Sequence, residues 1–221
     1  MCMDNHIQVK LISLEDIYKT KCFDLKQIIQ IIEDSLLAYS NNEIILPDKI
    51  SQIFNEELQT RINCMPSTLL KEGVCGVKWV SVFPNNPKLY NKQNVSGVIL
   101  VSEIKTGFPF AIVDGTLITA LRTACLGAIG AKYLARKDSS VYGTIGTGEQ
   151  AKTHFLVMKT LFPNIKTCYV SSRSNESELR FIETMKTKFD DVEFIMCNGD
   201  YDLAARNADI IVTAVSCQAP L

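Results

Sequence analysis

The pattern most suggestive of chemistry is a short glycine-rich turn in the last third of the chain. Gly146-Thr147-Gly148-Glu149-Gln150-Ala151 follows the apolar run Val141–Ile145 and opens Glu149–Leu161, a segment with helical spacing. The first glycine permits a tight turn, the second lets the backbone approach a ligand, and the small Ala151 lets helix and strand pack closely. Amide groups at a helix start favour an anion. The pattern predicts a dinucleotide pyrophosphate site that includes Thr147, Glu149 and Gln150; the alternative is a turn that binds no ligand.

The end of the next apolar run, Thr167–Ser171, bears on the choice between NAD and NADP. NAD sites usually place an acid there for the ribose 2′-hydroxyl, but the chain continues Ser172-Arg173-Ser174 and has no acid before Glu176. Arg173 could meet a 2′-phosphate or stack on adenine, which favours NADP, or it could be a solvated arginine. We assign Ser172, Arg173 and, from the apolar run Asp209–Val215, Thr213 to the cofactor site.

Two cationic residues lie in apolar segments, where a charged side chain is unexpected. Arg122 lies in LITALRTACLGAIGAKYLA, among small and apolar residues, and a buried guanidinium needs an anionic partner. Its planar fork suits a carboxylate or phosphate, and a structural salt bridge to Asp114 or another acid is the alternative. Lys78 interrupts VCGVKWVSVF on the face of Val80 and Val82; its alternative is a solvent-facing strand position.

The elements around these residues divide into two patterns. The first pattern has helix starts at Ser13 and Asp24 and ends in a long helix, Leu117–Ala135. Between them lie four strand candidates: Thr60–Met65, Val74–Phe83, Gly97–Ser102 and Phe108–Val113. The second alternates strand and helix from Val141, which predicts an α/β, doubly wound parallel sheet of the Rossmann type. We predict a substrate-binding and dimerisation domain of α+β type over 1–137 and a partial NAD(P)-binding domain over 138–221.

Composition excludes several classes of partner. Lys and Arg number 23 against 24 Asp and Glu, so nothing favours nucleic acid or an anionic membrane. The most apolar stretch, Val95–Ile118, contains Glu103, Lys105 and Asp114 and cannot span a bilayer. Eight scattered cysteines indicate free thiols in a reducing compartment, and two distant histidines argue against a zinc site. We predict a cytoplasmic protein that holds no metal.

The segments RINCMPS, GVKWVSVFPNNP, TGFPFAIVDGTLITALRTA, AKYLARKDSS and IGTGEQA, in that order, resemble the ornithine cyclodeaminase/mu-crystallin family. The resemblance implies a dimeric NAD(P) protein with a small amino-acid substrate. It also implies that Lys78 and Arg122 bind the substrate carboxylate, that Lys49 replaces a further basic ligand, and that Thr123 lies near the nicotinamide. Lys78 is the residue that we assign to catalysis, where it would align a C–H bond beside nitrogen for hydride transfer.

The chain departs from the cyclodeaminase pattern in ways that bear on the substrate. Asn63 stands where cyclodeaminases carry a glutamate, and Asn94-Val95-Ser96 replaces a Gly-Leu-Pro stretch. The pattern is more similar to dehydrogenases that cleave N-(2-amino-2-carboxyethyl)-glutamate to 2,3-diaminopropionate and 2-oxoglutarate for siderophore or antibiotic assembly. Conversion of ornithine to proline and ammonia is the second interpretation, and a mu-crystallin-like binding protein without turnover is the third.

The resemblance also bears on length, because family members continue beyond the position of Leu221 with further strands and an active-site aspartate. We therefore expect a fragment or a truncated gene product that does not turn over substrate. Asp114 is only a loose substitute for that aspartate.

Overall fold

The computed structural model describes residues 6–20 and 24–217, which form two compact units. The first takes its described residues from Met1–Asp24 and Glu33–Thr119, and the second from Leu25–Ile32 and Ala120–Leu221. The division therefore falls inside two helices, after residue 32 and after residue 119, whereas the sequence placed a single boundary after residue 137. The second of them is the long helix predicted at Leu117–Ala135. The helix packs apolar residues beyond Ala120 into the second unit's core, a non-local preference that composition does not reveal. The roles assigned to the two domains stay predictions.

The first unit is built on a seven-stranded sheet. Strands β2 to β7 pair antiparallel, β1 pairs parallel with β7, and the order is β1-β7-β6-β5-β4-β2 with β3 also on β4. The strands are β1 (Lys10–Ile12), β2 (Ile44–Ile45), β3 (Ile50–Asn55), β4 (Thr60–Leu69), β5 (Val74–Val82), β6 (Val95–Glu103) and β7 (Pro109–Asp114). The turn at Lys105-Thr106-Gly107 joins β6 to β7, with Gly107 in the left-handed region at φ 76°.

Register divides the side chains of this sheet between two faces, because directly paired residues share a face. Lys78 stands between Met65 and Ile99, on the face of the buried Val80. Trp79 and its partner Val98 point to the other face and are exposed. One face of the sheet is therefore covered, and the other leaves apolar side chains in solvent.

Helices flank these strands along the chain. Ser13 and Asp16 form the capping box that starts α1 (Leu14–Lys19), as predicted. Helix α2 (Leu25–Ser40) follows, and a short α3 (Asn86–Tyr90) lies between β5 and β6. Strands β1, β2 and β3 and helix α3 were not predicted.

The second unit contains a four-stranded parallel sheet in the order β10-β9-β8-β11. Its elements alternate along the chain after α4: α4 (Thr116–Leu134), β8 (Val141–Ile145), α5 (Glu149–Leu161), β9 (Thr167–Ser171), α6 (Asn175–Lys186), β10 (Glu193–Met196), α7 (Tyr201–Asn207) and β11 (Ile210–Thr213). In order of appearance the strands lie 3-2-1-4, the order of the first half of a Rossmann sheet with its fourth strand. The predicted fold class is confirmed.

Aromatic packing forms the core of the second unit. The fully buried Phe155 of α5 contacts Tyr142, Phe189 and Phe194, with ring centroids 5.3, 5.3 and 5.4 Å apart. The hydroxyl of Tyr142 is buried and has no hydrogen-bond partner among the described residues. Burial raises the pKa of Tyr142 well above its ordinary value, so this group stays neutral.

Helix α4 is, by length and composition alone, apolar enough to cross a membrane, but the core helix of a soluble domain meets the same criterion. Its residues Ala124, Cys125 and Ala128 are fully buried in the core cluster that contains Phe155. These small side chains allow close packing, so we interpret α4 as a core helix.

Candidate functional site

The glycine turn after β8 has the geometry that its sequence predicts. Gly146 adopts φ +104°, a left-handed value that favours glycine, and a side chain there would collide with the backbone carbonyl of Ala214. Its amide donates to the carbonyl oxygen of Ser171 at 2.8 Å. The turn is thus held between the ends of β9 and β11, and only glycine fits its first position.

Gly148 is the N-cap of α5 and is surrounded by open space. A Cβ built on it would meet no atom within 4 Å. Side-chain oxygens of Ser13, Ser174 and Asp200 cap α1, α6 and α7, whereas in the described chain no side chain caps α5. The amide groups of its first turn therefore face an open position at the positive end of a 13-residue helix, which suits an anion.

The other residues of the turn lie in different environments. Thr147 is half-buried, and the exposed Glu149 pairs with Lys152 at 2.7 Å. Gln150 carries a buried side-chain oxygen that has no hydrogen-bond partner within the part of the chain that the structure describes. A buried acceptor without a donor costs free energy, so this oxygen fits a site that a ligand completes.

Strand order brings three further predicted cofactor residues, Ser172, Arg173 and Thr213, to the same edge. Ile145 pairs with Ser171 on one side and Thr213 on the other, so β8, β9 and β11 end together. Ser172 is buried, with its hydroxyl 3.0 Å from the carbonyl oxygen of Ser174, and Arg173 and Thr213 are exposed. Dinucleotides bind at this edge in doubly wound sheets, at the point where the strand order reverses.

Arg122 and Thr123 lie on α4 and are both half-buried. The Nε atom of Arg122 is buried without a hydrogen-bond partner among the described residues. Burial lowers the pKa of the Arg122 guanidinium from its ordinary value. A guanidinium with an unused donor is suited to an anionic ligand.

Lys49 and Lys78 belong to the first unit. Lys49 is exposed just before β3, and Lys78 is half-buried on β5. The covered face of the sheet, on which Lys78 lies, also carries Asn63, whose amide oxygen accepts a 2.8 Å hydrogen bond from the Ser51 hydroxyl. Asp114 accepts from the Thr116 amide at 2.8 Å and so caps the start of α4, a structural use that sequence reasoning did not consider.

Sequence reasoning missed Glu178, a fully buried carboxylate on α6. It accepts backbone hydrogen bonds from Ser172, Asn198 and Gly199 at 2.7, 2.9 and 2.9 Å. A weak signal was available, because Glu178 precedes the buried Phe181 and Ile182 by one helical turn and so shares their face.

Comparison with known proteins identifies the family to which this arrangement belongs. The model of the ornithine cyclodeaminase/mu-crystallin family matches residues 10–221. The chain belongs to this family. The resemblance predicted from the motifs is therefore confirmed, and the turn, the parallel sheet and the strand order are features of a family member.

Three relatives illustrate the kinds of protein that this chain is similar to. An uncharacterized cyclodeaminase of Dictyostelium discoideum is 33% identical over 91% of this chain and 61% of its own length. The N-((2S)-2-amino-2-carboxyethyl)-L-glutamate dehydrogenase of Staphylococcus aureus is 27% identical over 86% of this chain and 57% of its own. The Thermococcus litoralis Δ1-pyrroline-2-carboxylate reductase, solved with NADH and L-proline, is 32% identical with a TM-score of 0.85, over 92% of this chain and 61% of that one. The chain thus spans about 60% of the length of these relatives.

Proposed function

We propose that this chain is an NAD(P)-dependent oxidoreductase acting on a C–N bond of an amino acid. The observation that carries the proposal is the uncapped start of α5 behind Gly146, at the point where the order of a parallel sheet reverses. The Thermococcus litoralis relative, which binds NADH, supports the same cofactor class. The amides that follow Gly148 would bind the pyrophosphate, with Thr147, Glu149 and Gln150 around it.

Arg173 favours NADP over NAD in this proposal. It is exposed beside the end of β9, and the sequence has no acid between there and Glu176. Among the residues that the structure describes, the one buried acid nearby is Glu178, which points to the protein interior. A guanidinium can bind a 2′-phosphate with charge-assisted hydrogen bonds. Ser172 and Thr213 would line the same side of the site.

The substrate carboxylate would be bound by Lys78 and Arg122, as the family resemblance implies, with Lys49 as a further cation. The unused Nε donor of Arg122 and the half-buried position of Lys78 on a covered sheet face are the observations that support these roles. A bound nicotinamide, near Thr123, would supply the hydride acceptor or donor. The chain's own residues would hold the carboxylate so that the substrate carbon beside nitrogen is aligned.

Two substrates deserve a direct test. Asn63 is neutral and hydrogen-bonded to Ser51, so it cannot supply the carboxylate that cyclodeaminases place there, which favours oxidative cleavage of N-(2-amino-2-carboxyethyl)-glutamate, a reaction of siderophore or antibiotic assembly. The 32% identity with the Thermococcus reductase makes reduction of Δ1-pyrroline-2-carboxylate to proline the second candidate. Both reactions change the bond order between nitrogen and the carbon beside a carboxylate.

The experiment is a titration of the protein with NADH and NADPH, followed by absorbance assays at 340 nm, with NAD(P)+ for the oxidative cleavage and NAD(P)H for the reduction. Turnover of ornithine is measured as released ammonia, because conversion of ornithine to proline leaves the redox state of the cofactor unchanged. Saturable cofactor binding with turnover of either candidate supports the proposal. Turnover of ornithine alone would make the protein a cyclodeaminase. Cofactor binding without turnover by the 221-residue chain agrees with the expectation that it does not turn over substrate. The same result for a chain extended to the length of the relatives would favour a binding protein, and no binding of either nucleotide would contradict the proposal altogether.

We also propose that the protein is a homodimer. The exposed face of the seven-stranded sheet carries the large apolar side chains of Leu11, Ile50, Trp79 and Val98. A contiguous apolar patch on a sheet face is typical of an association surface, and a second copy presents the same patch. Light scattering should give twice the chain mass of 24.7 kDa, and emission of the single tryptophan, Trp79, should shift to longer wavelength on dilution. A monomer at all concentrations would contradict this proposal.

A further inference from the structure

The buried carboxylate of Glu178 connects two loops that are remote in sequence. Its Oε1 accepts from the amides of Ser172 and Gly199, and its Oε2 accepts from the amide of Asn198. Ser172 begins the loop between β9 and α6, and Asn198 and Gly199 lie in the loop between β10 and α7. One side chain therefore uses three backbone donors from the carboxyl ends of two neighbouring strands.

The backbone of both loops is shaped for this contact. Asn198 and Gly199 adopt left-handed φ values of 53° and 83°, which turn two successive amides toward the carboxylate. A Cβ on Gly199 would lie 3.5 Å from the carbonyl oxygen of Ser172, so the two loops lie close together. Directly afterwards, Asp200 caps α7 through the Leu203 amide at 2.8 Å.

The charge of Glu178 acts locally. Burial, with a smaller contribution from the Glu178 charge, raises the pKa of the neighbouring Cys197 thiol to about 11, which keeps that thiol protonated. The carboxylate is fully buried and is stabilised by three amide donors, an arrangement that suits a buried anion. Replacing it with an amide would set an NH₂ group against at least one of the three N–H groups.

We propose that Glu178 is a positioning residue that fixes the two loops into one surface for the adenosine end of the dinucleotide. The inference rests on the proposed cofactor function. Arg173 follows Ser172 directly, so the hydrogen bond from the Ser172 amide to Glu178 sets the direction in which Arg173 leaves the strand. No acid stands at the ribose position. Glu178 lies on the inner side of the loop instead, where it holds the backbone through hydrogen bonds and leaves the outer surface to Arg173.

The test compares Glu178→Gln with Glu183→Gln, an exposed glutamate on the same helix that gives the same change in net charge. Binding of 2′,5′-ADP and of nicotinamide mononucleotide is measured by competition against NADPH. Glu178→Gln should weaken 2′,5′-ADP about tenfold or more and leave nicotinamide mononucleotide unchanged. Amide exchange should accelerate at Ser172, Asn198 and Gly199, and Glu183→Gln should change none of these quantities.

A second variant keeps the test decisive if Glu178→Gln does not fold. Gly199→Ala retains the carboxylate but disfavours φ +83°, so it should also weaken 2′,5′-ADP selectively. Unchanged 2′,5′-ADP affinity in both variants, or equal weakening of both fragments, would overturn the positioning role. If the wild-type protein binds no nucleotide while exchange at the three amides still responds to Glu178→Gln, the proposed cofactor function fails, and the positioning role falls with it although the loop connection is real.

Discussion

The amide of Gly146 donates a 2.8 Å hydrogen bond to the carbonyl oxygen of Ser171, which joins the end of β8 to the end of β9. The bond fixes the first glycine of the turn on one side, and the carbonyl of Ala214 confines it on the other. Two residues further on, Gly148 has no such neighbour. The turn therefore combines a rigid base with an open helix start, and the two glycines have different tasks.

This difference predicts the effect of Gly148→Val. Valine finds space in the protein itself, but its side chain would occupy the position proposed for the pyrophosphate. Cofactor affinity should fall by about a hundredfold or more, because several charge-assisted hydrogen bonds are lost, while circular dichroism stays the same. Gly130→Val is the matched control, since a Cβ at Gly130 also meets open space. Unchanged affinity in Gly148→Val would contradict the pyrophosphate assignment.

Arg173→Ala tests the preference for NADP. If Arg173 meets a 2′-phosphate, its removal should weaken NADPH by about ten- to a hundredfold and NADH far less. Arg180→Ala removes an exposed arginine from α6, where Arg180 pairs with Glu176, and controls for net charge. Equal losses for NADH and NADPH would mean that Arg173 stacks on adenine or takes no part in binding.

Arg122→Lys tests the substrate site with whichever amino acid the assays identify. Lysine keeps the charge but loses the planar fork and the buried Nε donor, so KM for the amino acid should rise about tenfold or more. Arg136→Lys, at an exposed arginine that pairs with Asp209, should leave KM unchanged. Normal kinetics together with a lower Tm in Arg122→Lys would indicate a structural salt bridge instead.

The second unit was predicted well because its signals are local. Bounds of β8, α5 and β9 agree with the sequence segments, since buried parallel strands are continuous apolar runs between helices with polar faces. The first unit was harder. Strand β3 is exposed along its whole length and is defined only by pairing with β4, and β1 is a three-residue strand that pairs with β7, about a hundred residues away in sequence.

The residues of the candidate site also differ in how far they could be predicted, because some signals are local in sequence and others are not. Gly146 and Gly148 could be assigned because a turn between strand and helix imposes its requirements within six residues. Glu178 could not, because the amides that justify its burial include those of Asn198 and Gly199, twenty residues further along the chain. A helical acid read alone is expected on a solvated face.

The buried hydroxyl of Tyr142 predicts a stabilising substitution. Tyr142→Phe removes a polar group that has no partner among the described residues and leaves the ring packed on Phe155. The free energy of unfolding should rise by about 1 kcal/mol, measured by urea denaturation. Tyr90→Phe, at an exposed tyrosine, should change it little. A loss of stability in Tyr142→Phe would show that the hydroxyl makes a favourable interaction.

Lys159 and Asp191 connect α5 to the segment before β10. The ammonium group of Lys159 is buried and donates to the carbonyl oxygens of Pro163 and Ile165, both at 2.8 Å, and to Asp191 at 3.0 Å. Asp191 also accepts from Lys166 at 2.7 Å. Hydrogen bonds from Lys166 and Lys159 lower the pKa of Asp191 from 3.8 to about 2.

Because the pKa of Asp191 is depressed in the folded protein, the direction in which low pH changes its stability can be predicted. A carboxyl whose pKa is lower in the folded state stabilises the protein above its unfolded value of about 4, and that contribution is lost as the pH falls toward about 2. Asp191→Asn should therefore lower Tm at pH 7 and flatten the decline of Tm between pH 4 and pH 2. Asp190→Asn, an exposed neighbour, should leave the slope as in the wild type. An equally steep decline of Tm in Asp191→Asn would mean that other carboxylates govern acid unfolding, and that the ion pairs of Asp191 with the two lysines do not stabilise the fold.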